Sequence, residues 1–188
     1  LKKGWTWVSL NVQNNDMSLK NVLANLTPTE GDLIKTLSNN NAYSQYSKTM
    51  GWVGVLNDVN LYNSYMIYVA KPDTIRILGN FISQVANVKL VKGWSWTGYP
   101  MAINMELNTY LKNFAPADGS QIVSQEEFAQ YNAGTQSWSG SLKYLRPGKG
   151  YKFYTETDGF VIPVMPYVPT VDPLVETKQP IIPPDNNP

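Results

Sequence analysis

Lys3-Gly4-Trp5-Thr6-Trp7 returns later in the chain as Lys92-Gly93-Trp94-Ser95-Trp96, and the motifs downstream of each copy keep the same order. Apolar residues at helical spacing come next (Leu19, Leu23, Leu26, then Leu107, Leu111, Phe114), succeeded by Pro-x-x-Gly (Pro28 and Gly31, then Pro116 and Gly119). A Trp-x-Gly-x-Leu stands third (Trp52, Gly54, Leu56, then Trp138, Gly140, Leu142), and a Tyr-x-x-Tyr closes each set (Tyr65 and Tyr68, then Tyr151 and Tyr154). An ordered series that occurs twice predicts an internal duplication, because repeated supersecondary units build arrays or paired modules. The expected boundaries are 1–84 for the first unit, 85–165 for the second and 166–188 for a Pro-rich linker or docking tail.

Trp5 to Val12 alternates large apolar and polar residues, which predicts a half-buried strand, and Val88 to Tyr99 predicts the second. Asp16 or Ser18 is placed to cap a helix running to about Leu26, and Asn104 a helix from Met105 to Phe114. Short β-prone runs complete the first unit at Asp32 to Leu37, Tyr43 to Tyr46, Trp52 to Leu56, Tyr65 to Ala70 and Thr74 to Leu78. Those of the second are Gln121 to Ser124, Phe128 to Tyr131, Trp138 to Leu142, Tyr151 to Thr155 and Phe160 to Val164. The expected fold is therefore α+β, mainly β: two homologous units, each a strand, one helix and a meander of short antiparallel strands.

With 15 basic and 14 acidic residues, the chain offers no basic stripe for nucleic acid. No apolar run is long enough to insert into a membrane. Cysteine and histidine are both absent, which removes disulfides, thiolate nucleophiles, the commonest metal ligand and the commonest general base. No cofactor or metal is expected, and the expectation is a non-enzyme. The low charge and the abundance of Asn, Gln, Ser, Thr and Tyr suggest an extracellular or cell-surface protein. The opening at Leu1 on a strand-like stretch suggests a piece of a longer or processed protein.

The set of motifs, read in order over residues 1 to 165, resembles a tandem repeat of secreted and surface proteins of the Bacteroidetes group, exported by the type IX pathway. It comprises Gly-Trp-x-Trp, an apolar helix, Gly-Trp-x-Gly-x-Leu, Pro147-Gly148-Lys149-Gly150-Tyr151 and Asp73-Thr74-Ile75-Arg76. Asn60 to Ser64 replaces the Pro-Gly-x-Gly turn in the first unit, where the resemblance is weaker. The resemblance implies a surface context, and brings no settled activity and no catalytic residues.

The candidate ligand-binding residues are Trp5, Trp7, Trp52, Trp94, Trp96 and Trp138, since flat aromatic faces stack on sugar rings and Trp is enriched at interfaces. Packing in a core is the weightier reading, because scaffold residues must recur if a fold does. A mixed case, one Trp of each pair buried and one at a rim, stands beside it. Tyr43, Tyr46, Tyr62, Tyr65 and Tyr68, with Asn39 to Asn41, are candidates for a polar groove, though cross-strand packing explains most of them. Glu30 with Asp32 and Glu126 with Glu127 invite comparison with glycosidase acids, but neighbours in turns rarely face each other across a cleft. The function expected is a non-catalytic extracellular module serving adhesion, ligand binding or assembly. Its partners would be a polysaccharide, another surface protein or neighbouring domains. The alternatives are a spacer or filament unit whose Pro-rich tail pairs with a neighbour and, with little weight, a glycoside hydrolase.

Overall fold

Gly4 lies at φ 93° and Gly93 at φ 91°, a region that favours glycine, and each starts the strand that its Trp-x-Trp continues. A computed structural model describes residues 1–37, 41–82 and 86–163. The first half holds β1 (Gly4–Ser9), α1 (Leu19–Val22), β2 (Leu33–Lys35), β3 (Tyr43–Ser47), β4 (Gly51–Gly54) and β5 (Ser64–Val69). The rest holds β6 (Val88–Leu90), β7 (Gly93–Thr97), β8 (Met105–Glu106), α2 (Leu107–Tyr110), β9 (Gln121–Val123), β10 (Phe128–Asn132), β11 (Ser137–Gly140), β12 (Tyr144–Leu145), β13 (Tyr151–Thr155) and β14 (Gly159–Val161). The fold is mainly β, with antiparallel sheets and two short helices among the described residues.

The two 5-stranded sheets run β1-β5-β2-β3-β4 and β7-β13-β9-β10-β11, the same order once the strands are matched from the Gly-Trp strand onward. Registers match as well: Trp5 lies opposite Tyr68 and Trp94 opposite Tyr154. Each sheet covers its own core. One core gathers Leu19, Val22, Leu23, Ile34, Leu56, Tyr65 and Ile67, and the other Leu107, Tyr110, Leu111, Ile122, Leu142, Tyr151 and Phe153. The Trp-x-Gly-x-Leu spacing has a steric cause. A Cβ on Gly54 would sit 2.2 Å from the Tyr43 carbonyl oxygen, and one on Gly140 would sit 2.3 Å from that of Phe128.

The helices are shorter than their apolar spacing predicts. Ser18 caps α1 by accepting from the Asn21 N–H, but by Ala24 and Leu26 the bonds have tightened to the i−3 type, and Pro28 comes two residues later. At α2 the cap is Glu106 instead of Asn104, because Met105 and Glu106 pair with β12 and delay the helix by two residues. Val88 to Tyr99 is broken into β6 and β7, which belong to different sheets. Thr74 to Leu78 forms no strand. The matching β14 pairs with β6, just ahead of Gly93, and in the first half Leu1 exchanges backbone hydrogen bonds with Asp73. The Asn60 turn keeps the bond that its Pro-Gly counterpart makes: the Asn60 N–H donates to the Tyr65 hydroxyl as the Arg146 N–H donates to that of Tyr151. The Pro-rich tail from 166 to 188, and Asn39 and Asn40 of the polar-groove reading, lie outside the described residues.

Where the two sheets meet, the contacts are reciprocal. Val8 bridges to Lys149 while Thr97, its counterpart in β7, bridges to Asn63, the counterpart of Lys149. Likewise the Ser9 N–H donates to Gly148 O at 3.3 Å and the Gly98 N–H to Tyr62 O at 2.8 Å. This is the pattern of an isologous two-fold contact, made within one chain. Ser9, buried, ties it from the side: its hydroxyl donates to the Lys149 carbonyl and accepts from the Tyr99 N–H.

Candidate functional site

In an antiparallel sheet, directly opposed residues share a face and alternate residues change it. Thr6 opposes Ile67 and Ser95 opposes Phe153, so these positions face the cores, and the Trp-x-Trp tryptophans face outward. Trp5 and Trp94 are 38% and 43% exposed, each packed on its partner tyrosine at centroid distances of 5.5 Å (Tyr68) and 5.4 Å (Tyr154). Trp7 and Trp96 instead meet each other, nearly parallel at 20° with ring centroids 6.4 Å apart, on the reciprocal contact. Trp96 is 8% exposed, and its indole N–H has no hydrogen-bond partner among the described residues.

Trp52 and Trp138 lie elsewhere. Trp138 is 5% exposed, among Phe114, Tyr131 and Phe153, and Trp52 is half-buried beside Tyr46. The six candidate tryptophans therefore divide into four on the outward faces and two on the core sides. The mixed arrangement describes Trp94 and Trp96. Of the tyrosines, Tyr43 and Tyr68 share the outward face, whereas Tyr65 is in the core and Tyr62 packs against the core of the second half.

The cross-strand register extends the outward faces into rows. On the first sheet Trp7, Met66, Lys35 and Tyr43 are successive neighbours across β1, β5, β2 and β3. On the second sheet Trp96, Lys152, Val123 and Phe128 succeed one another across β7, β13, β9 and β10. The Trp7–Trp96 stack joins the two rows.

Two lysines sit on this surface. Lys152 Nζ lies 3.9 Å from the Trp7 ring centroid and 4.4 Å from that of Trp96, and Lys35 Nζ lies 4.7 Å from Trp5. These are cation–π distances. Burial against the rings, with the Lys35 ammonium nearby, holds the Lys152 pKa below the ordinary lysine value. Among the described residues the ion pair is Arg146 with Glu127, 2.6 Å apart, and neither Lys35 nor Lys152 has a carboxylate partner.

Gln125 closes the open side of β1. Its Oε1 accepts from the Trp7 N–H at 2.9 Å and its Nε2 donates to the Trp5 carbonyl at 2.9 Å, as a neighbouring strand would. It reaches across from the β9–β10 loop of the second sheet, so its amide also fixes the strand that carries Trp5 and Trp7. Neither Gln125 nor the lysines emerge as site residues from the sequence. The repetition of motifs draws attention to matched positions, and these three have no match in the other half.

Of the paired carboxylates, Glu30 and Asp32 are occupied with the backbone. Asp32 accepts from the N–H groups of Thr29 and Ala70, and Glu30 from that of Lys48. Glu127 pairs with Arg146. Among the described residues no cluster of three or more acidic side chains is placed to hold a metal ion, and no helix is long and apolar enough to cross a membrane. Comparison with family models, with curated proteins and with solved structures yielded no match.

Proposed function

We propose that this chain is a non-catalytic polysaccharide-binding module of a larger bacterial surface or secreted protein. The observation that carries the reading is the outward aromatic surface: Trp5 and Trp94 are the most exposed of the tryptophans and share the outward faces with the Trp7–Trp96 stack. Sugar rings present flat C–H faces to such platforms, and an apolar contact of this kind needs no pocket. Fixed supports hold the rings in place, with Tyr68 and Tyr154 beside the outer pair on the neighbouring strands and Gln125 on the backbone of β1. A rigid site loses little conformational freedom on binding.

The test is acrylamide quenching of Trp fluorescence in the presence of a panel of neutral and acidic polysaccharides. The half-buried Trp7 and Trp52 are quenched in part, and Trp5 and Trp94, the most exposed of the six, supply the remaining, larger quenchable fraction. A binding polymer protects that fraction, and combining Trp5→Ala with Trp94→Ala removes both the fraction and the binding. Unchanged quenching across the panel, together with no retardation in affinity gels, would overturn the reading.

A second reading, assembly between copies through strand edges, is favoured by β4. This edge strand and its flanks carry the exposed Met50, Val53 and Val55, a composition that invites strand pairing unless it is covered. Sedimentation equilibrium decides: concentration-dependent oligomers abolished by Val53→Lys support assembly, and a monomer at all concentrations rejects it.

A further inference from the structure

We propose that the polysaccharide is acidic, and that Lys35 and Lys152 hold the carboxylates of its uronic acid residues. The inference rests on the polysaccharide reading above and specifies the chemistry of that ligand. Lys152 Nζ is held over both rings of the central stack and Lys35 Nζ over Trp5, so positive charge and aromatic faces occupy one surface. A uronic acid residue offers the same two features together: an apolar ring face and a carboxylate fixed to that ring.

Charge provides the second line of argument. The chain as a whole carries a formal charge of +1, so any pull on an anion here is local. The two ammonium groups are near enough for Lys35 to disfavour the charged form of Lys152. Among the described residues no carboxylate pairs with either of them. An anion set between them relieves the repulsion and replaces the water lost against the rings, through charge-assisted hydrogen bonds. Their aromatic contacts also limit the lysines' rotamers before any ligand arrives, which lowers the entropic cost of using two flexible side chains.

The experiment is isothermal titration calorimetry of the chain with polygalacturonate, polyguluronate and glucuronan, and with the carboxyl-reduced form of each. We expect at least one uronate to bind, and carboxyl reduction to weaken it by roughly tenfold or more, the loss expected when a hydrogen bond to a charged group is removed. The Lys35→Gln, Lys152→Gln pair should weaken the uronate to the same extent and leave the reduced polymer unaffected. Lys112→Gln, at an exposed lysine away from both rows, leaves all affinities unchanged. Near-ultraviolet circular dichroism checks that the double variant is folded, and if it is not, the comparison of native and reduced polymers decides alone.

Equal binding of native and reduced polymers, still dependent on Trp5 and Trp94, overturns the acidic assignment and leaves the polysaccharide reading standing. Failure of all three uronates also overturns it, and failure of neutral polymers as well removes both readings. Binding of dextran sulfate or an oligonucleotide that exceeds uronate binding and ignores Trp5→Ala would show a charge effect without ring recognition, which likewise overturns it.

Discussion

Trp138 and Trp52 hold the same place in matching strands, yet one is a core residue and the other is not. Trp138 stacks on Phe114 at 6.3 Å and 20° and meets Phe153 edge-on at 6.1 Å. In the first half Leu26 and Ile67 stand where Phe114 and Phe153 stand in the second. Trp52 keeps only its tyrosine, Tyr46, at 5.6 Å. Beside it opens a cavity of about 430 Å³ lined by Leu23, Leu26, Tyr46, Met50, Trp52 and Leu56. The edge strands differ too. Asn108 binds both backbone groups of Trp138, accepting from its N–H at 2.7 Å and donating to its carbonyl at 3.1 Å. The matching residue in α1 is Lys20, which has no acceptor to offer. Two side chains and one amide thus separate a closed corner from an open one on the same strand order.

The largest expected effect breaks the comparison directly. Trp138→Ala should destabilise by about 3–5 kcal/mol in urea unfolding, the cost of emptying a tightly packed aromatic site, and Trp52→Ala by about 1–2 kcal/mol, since its ring is already partly exposed to water. Equal losses would mean that the two corners are energetically alike.

Alkaline pH gives the next largest effect. Burial pushes Tyr65 and Tyr151 up to about 12 and raises Tyr99 and Tyr110 further, and three of these four belong to the second half. A phenol whose folded pKa exceeds its unfolded value of 10.0 adds stability that is complete below that value and is lost as pH rises through the folded one. For Tyr65 and Tyr151 the loss amounts to roughly 3 kcal/mol each. Tyrosinate absorbance near 295 nm should therefore rise together with unfolding between pH 10 and 12, and the Trp138 fluorescence should report it before that of Trp52.

Asn108→Ala tests the edge. It leaves the N–H and carbonyl of Trp138 to water and should cost about 1–2 kcal/mol, with faster amide exchange confined to β11. Leu26→Phe has the smallest effect and the opposite sign. It rebuilds the Phe114 stack over Trp52, shifts the Trp52 emission to the blue and stabilises by about 1 kcal/mol or less. A loss of stability would show that the corner is too tight to take the ring.

Much of this architecture is visible in the residues that recur. Alternation marks β1 and β7, and the recurring Trp-x-Gly-x-Leu marks matched places in the two halves, whereas its cause, that only a glycine admits the opposing carbonyl at Gly54 and Gly140, is seen only in the structure. Helix lengths are not legible in the same way, since apolar spacing says nothing of the backbone pairing that claims Met105 and Glu106. The strand expected at Thr74 to Leu78 has the right composition but pairs with no strand among the described residues, and pairing is a property that no local pattern reveals. Of the site, the four outward tryptophans are legible as candidates, but their separation from Trp52 and Trp138 is not. That separation depends on which face each strand buries. The meeting of Trp7 with Trp96, and the approach of Lys35 to Lys152, join residues far apart in the chain and cannot be read from either neighbourhood.

The reciprocal contact places the tryptophans symmetrically but not the lysines. Lys35 lies two strands from Trp7, whereas Lys152 lies one strand from Trp96, in the row position that Met66 fills on the other side. A ligand that senses only the rings meets the same surface from either end and has two equivalent ways to lie on it. One that also senses charge has a single preferred direction, so the lysines would tell the reducing end of a chain from its non-reducing end.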